Sequence, residues 1–215
     1  MNRINLVAVG AALLVAGSAA HAQSKSSSLD RMFAVTVSQG NMAEVMSSQL
    51  ALKKTSSEKV RKIATMLIQQ HGQAETSLKK VAAQEKIMLP SGTDTKHREM
   101  YKKLEGMSGA GFDKEYIAAQ VGDHFKTIAL FNKELTGGTD TAVRSFATRY
   151  LPDIETHTQM ITAVASNYGI PVGSSHSGGK MGKMDKAMAM PADGAVAPAD
   201  TTAPAGAPAP TTAPQ

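Results

Sequence analysis

The 215-residue chain contains no cysteine and no tryptophan, and only five phenylalanines and four tyrosines. Without cysteine there is no disulfide framework, thiolate zinc site, iron–sulfur cluster, cysteine nucleophile or lipid-anchored cysteine. The shortage of aromatics argues against stacking platforms for single-stranded nucleic acid. Excess charge of one sign is scarce too, the formal net charge being +5. Within residues 29–171, 18 Lys and Arg stand against 15 Asp and Glu, a difference of +3. These charges are interspersed as solvated faces and form no nucleic-acid stripe. A Gly-x-Ser-x-Gly elbow, a phosphate-cradling glycine loop and a His-Glu-x-x-His motif are all missing. The sequence therefore carries no enzyme signature.

Residues 1–22 read as an export signal. Arg3 supplies the positive start, residues 6–15 the short apolar core, and Ala20-His21-Ala22 the small-x-small pattern before cleavage ahead of Gln23. That core is too short to span a bilayer, and no other segment approaches the necessary length. The mature chain is expected in the periplasm or outside the cell, with no transmembrane segment. Residues 23–28 read as a short linker. Residues 172–215 pass from Ser/Gly to Lys/Met to Ala/Pro/Thr and hold six of the nine prolines. Such a composition cannot offset the entropy of ordering and predicts a disordered tail. Met181, Met184, Met188 and Met190, near His176, offer soft donors suited to Cu(I). A flexible tail in which methionine is incidental is the simpler reading.

Between these ends, apolar residues recur at steps of three and four with almost no proline, which is a helical pattern. The spacing predicts long helices over 30–54, 58–86, 112–135 and 141–168, and a short surface helix over 94–104. The stripes run Phe33, Val37, Gly40, Glu44, Ser47, Ala51; then Val60, Ala64, Leu67, His71, Ala74, Leu78; then Ile117, Val121, His124, Ile128, Phe131; then Val143, Ala147, Tyr150, Ile154, His157, Ile161. Pro152 either kinks the last helix or starts a new one. Two helical hairpins joined by a long crossover define an all-α, ferritin-like four-helix bundle over residues 29–171.

Each long helix places one strong metal-ligand candidate on its apolar stripe: Glu44, His71, His124 and His157. Counted from a shared end, the four fall within roughly 6 Å along the bundle axis at about 1.5 Å rise per residue. Buried imidazoles and carboxylates require partners, and this set suits one Zn, Cu, Fe or Mn ion. Glu75, Gln120 and Asp153, one turn from the histidines, are candidate acceptors that fix the imidazoles, or further ligands. Residues Ile68, Val121 and Ile154 stand three before the histidines, where a dinuclear carboxylate centre needs Glu. A mononuclear site is therefore expected. The alternative is a non-enzymatic envelope scaffold, with structural histidines and an envelope protein as partner.

Phe33-Ala34, Gln39-Gly40-Asn41, Glu44-Val45, Ile63-Ala64 and His71 carry a recognisable pattern. Phe112-Asp113, Asp123-His124, Ala129-Leu130-Phe131, Leu151-Pro152 and His157 continue it in the second half. Over residues 32–168 the chain resembles an uncharacterised bacterial family, a domain of unknown function often labelled exported or outer-membrane protein. The resemblance implies a ferritin-like four-helix fold, export and peripheral outer-membrane association, and it implies no activity. Members usually carry Asp-His on both central helices, whereas here Gln70 precedes His71.

Overall fold

The computed structural model describes residues 26–172. The expected leader and the Met/Lys and Ala/Pro/Thr tail lie outside the described residues. Among those described, all regular structure is helical, in five α-helices: α1 Ser28–Lys54, α2 Glu58–Gln84, α3 Thr95–Glu105, α4 Gly109–Gly137 and α5 Thr141–Ala165. A 3-10 turn, Ser166–Tyr168, follows α5, and Gly169 in the left-handed region at φ 63° ends it. None of these helices is long and apolar enough to cross a membrane.

Local chemistry sets the starts. Ser27 and Asp30 form a reciprocal capping box on α1. Ser57, Asp94 and Asp140 cap α2, α3 and α5 with side-chain oxygens. The chain reaches α4 through Gly109 at φ 59°, a conformation glycine adopts freely, so this helix starts before the expected residue 112. α1 likewise starts ahead of residue 30, inside the expected linker.

The long helices pack in the cyclic order α1, α2, α5, α4, and α3 lies against α1 and α4. One apolar cluster joins Phe33 and Val37 to Leu78, Phe131, Val143 and Phe146. The other joins Leu50 and Ala51 to Val60, Leu67, Phe112 and Ile161. The first therefore gathers the beginnings of α1 and α5 with the ends of α2 and α4, and the second gathers their opposite ends. α1 and α5 run one way, α2 and α4 the other. The crossover is pinned to α1 by Thr93 Oγ1 donating to the Gln39 carbonyl at 3.0 Å, and to α4 by Lys96 Nζ on Asp123 at 2.9 Å.

α5 continues unbroken through Pro152. Thr148, whose carbonyl loses its amide partner there, is exposed, so water is available to it. Pro152 is exposed as well, so its ring is no part of the buried core. Pro152→Ala is expected to stabilise the fold by about 1 kcal/mol, read as a higher urea midpoint with an unchanged slope.

A carboxylate cluster ties α1 to the α4–α5 turn. Asp30 accepts from the Thr139 amide at 2.9 Å and the Asp140 amide at 3.2 Å, and Ser26 Oγ donates to Asp140 at 2.8 Å. Glu134 is fully buried beside them, with neither oxygen hydrogen-bonded. A Cβ on Gly138 would fall 2.7 Å from the Glu134 backbone oxygen as well as 2.1 Å from its Oε1, so a side chain there forces the backbone to shift. Burial, then Asp30 and Asp140, push the Glu134 carboxyl from 4.5 to about 7. Between those values the unfolded chain has lost a proton that the fold retains, so this group lowers stability as pH rises. Glu134→Gln is expected to gain in melting temperature on the parent between pH 4.5 and 8; an offset that stays constant contradicts this.

Candidate metal centre

A polar layer separates the two apolar clusters. α1 contributes Ser38, Asn41 and Glu44, α2 His71 and Glu75, α4 Gln120 and His124, and α5 His157, all of them buried. The seam of α1 thus follows Val37, Asn41, Glu44 and Ser48, and the expected Gly40 and Ser47 are only half-buried. Both registers alternate steps of three and four, so spacing alone could not separate them.

His71, His124 and His157 come together from three helices. Their ring centroids lie 5.7 Å (71–124), 5.3 Å (71–157) and 5.6 Å (124–157) apart. One ring nitrogen of each falls within 4.8 Å of the others. Every ring also makes one hydrogen bond. His71 Nδ1 donates to Asn41 Oδ1 at 2.9 Å. The Asn41 amide is oriented in turn by donating to Glu75 Oε2 at 3.4 Å, while Ser38 donates to the other Glu75 oxygen at 2.9 Å. His124 Nδ1 donates to the Gln120 carbonyl at 3.0 Å, and His157 Nε2 to Gln70 Oε1 at 2.5 Å.

A carbonyl oxygen only accepts, so these bonds assign the proton on each ring. His71 Nε2, His124 Nε2 and His157 Nδ1 are left with lone pairs, and all three atoms are buried without a hydrogen-bond partner. Leaving one buried polar atom unmatched costs about 1–3 kcal/mol. Three in one cluster need a physical reason. Burial, followed by the neighbouring imidazoles, drives the His71 pKa well below its usual 6.5. Burial first lowers His124 to about 4, with His157 adding to it, and burial lowers His157 to about 4. At neutral pH the centre is three uncharged imidazoles offering lone pairs.

Glu44 stands apart from this trio. Its Oε1 lies 3.9 Å from His124 Nδ1, the nitrogen already bonded to Gln120, and its Oε2 has no hydrogen-bond partner. Burial pushes its carboxyl from 4.5 up to about 7. Glu75 reaches His71 through Asn41, and Gln120 serves His124 with its backbone carbonyl. Asp153 is exposed on the surface of α5, and the acceptor on His157 is Gln70. Asn41 and Gln70 stand out in the sequence only as parts of the family pattern, Ser38 not at all, and none of the three is expected at the site. Asn41 and Ser38 sit on the alternative α1 register, and Gln70 adjoins a stripe histidine.

Residues 15–164 match the family described as "Domain of unknown function (DUF4142)". The chain belongs to this family. The expectation of an uncharacterised domain is met by DUF4142 at that level. No curated protein matches the chain. Among solved structures, the DUF4142 domain is similar to one titled "putative secreted protein DUF305" from Streptomyces coelicolor, with a TM-score of 0.57 and 15% identity. The match covers 67% of this chain and 96% of that one, and at such identity it speaks for the helical fold alone.

Proposed function

We propose that this DUF4142 protein is an exported, ferritin-like four-helix bundle that holds one transition-metal ion at His71, His124 and His157, for metal handling or defence against oxidative stress. The observation that carries the reading is the set of three buried, unpartnered ring nitrogens, each on an imidazole whose other nitrogen is bonded to an oxygen. Metal-ligating histidines take this arrangement, because the outer hydrogen bond fixes the tautomer and aims the lone pair. Ligand nitrogens about 2.0–2.1 Å from a tetrahedral zinc lie about 3.3 Å apart. The observed spread of up to 4.8 Å therefore closes by side-chain adjustment of the order of 1 Å. An all-imidazole set suits zinc and copper better than manganese, which favours oxygen ligands. Glu44, Glu75 and Gln120 act around the trio, and Asp153 has no part in it. Export follows from residues 1–22, with the periplasm as destination and the outer membrane as a surface of peripheral association.

The competing reading is an envelope scaffold whose histidines only pack, with an envelope protein as partner. The bonds from Asn41, Gln120 and Gln70 give each ring a structural role without metal. Titrating the metal-free protein with zinc separates the two. Binding of one ion per chain, lost in His157→Ala, supports the metal centre; heats no larger than dilution support the scaffold.

A further inference from the structure

The metal reading leaves a coordination position open, and a cavity reaches two of the three rings. This cavity of about 310 Å³ opens between α1 and α4 beside the start of α3 and reaches His71 and His124. Its mouth carries Lys96 and Lys126, both paired with Asp123, at 2.9 and 3.3 Å. Phe131, Phe146 and Ile154 form part of its apolar wall. Gly40 lines it from the middle of α1, and a Cβ there would meet nothing within 4 Å. The space beside Gly40 is therefore open to the cavity, and a large side chain placed there would enter it.

We propose that this cavity binds a small organic anion, a carboxylate on an aromatic or short aliphatic body, whose head completes the coordination of the metal. The inference rests on the metal reading. Three neutral imidazoles leave the full charge of a divalent ion uncompensated in a buried site, which favours an anionic fourth ligand. Glu44 lines the same cavity, but its Oε1 lies 3.9 Å from His124 Nδ1, the nitrogen already bonded to the Gln120 carbonyl. Lysines at the mouth attract an anion, and the phenylalanines receive its body. Pockets of this kind pair an apolar wall with a few placed polar groups.

The test uses the full exported chain loaded with Co(II), whose visible bands report the ligands on the metal, and benzoate as the probe. Benzoate is expected to change those bands saturably. Gly40→Phe, which fills the opening, is expected to weaken benzoate at least about tenfold while the Co(II) bands persist. Leu130→Trp narrows the same cavity from α4 and serves if Gly40→Phe does not load. Co(II) bands that ignore benzoate, or equal benzoate affinity in the narrowed variants, overturn the anion site and leave the metal centre standing. Absence of Co(II) bands in the parent overturns both.

Discussion

Adding zinc to the metal-free protein is expected to raise its melting temperature by roughly 8–16 °C. A ligand at a thousand times its dissociation constant stabilises the native state by about 4 kcal/mol, and each kcal/mol shifts a domain of this size by roughly 2–4 °C. The three free nitrogens act as one unit, so His71→Ala, His124→Ala and His157→Ala should each abolish most of the zinc-dependent shift. Without metal the same variants behave differently. His71→Ala leaves Asn41 Oδ1 without its donor, and His157→Ala leaves Gln70 Oε1 without its own. Losses of about 1–3 kcal/mol are expected from each. Differential scanning calorimetry with and without zinc resolves the two effects. Equal zinc shifts in the parent and the alanine variants contradict binding at the trio.

Phe131→Ala is expected to destabilise the fold by about 3–5 kcal/mol, the usual consequence of emptying a buried aromatic site. Phe131 is 1% exposed, meets Phe33 edge-on at 4.9 Å and lies 6.3 Å from Phe146. It thereby joins α4 to both α1 and α5 in the first apolar cluster. Phe125, on the same helix but 41% exposed, should change stability by no more than about 0.5 kcal/mol when replaced by alanine. Urea unfolding of the pair measures the contrast. Similar midpoints for the two variants would contradict the packing described above.

The helices were legible because apolar spacing and caps agree. Ser57 and Asp140 start α2 and α5 at the residues the sequence indicated, and His71, His124 and His157 stood on the stripes that meet inside. Orientation was not legible. Glu44 lies at the right depth, but its carboxylate faces the bonded nitrogen of His124. Asp153, one turn before His157, is exposed, because the buried stripe of α5 runs through Tyr150, Ile154 and His157 at steps of four and three. The acceptors Asn41 and Gln70 depend on contacts between residues 30 and 87 positions apart, which no local pattern encodes. Pro152 left two outcomes open, and the helix continues through it on the exposed face of α5, where Thr148 also lies.

The most direct measurement is the metal content of the chain recovered from cells without added metal, beside a variant carrying alanine at His71, His124 and His157. Elemental analysis should find close to one zinc or copper per parent chain and background in the variant. Equal metal in both, or none in the parent after incubation with zinc and with copper, would contradict a three-histidine centre.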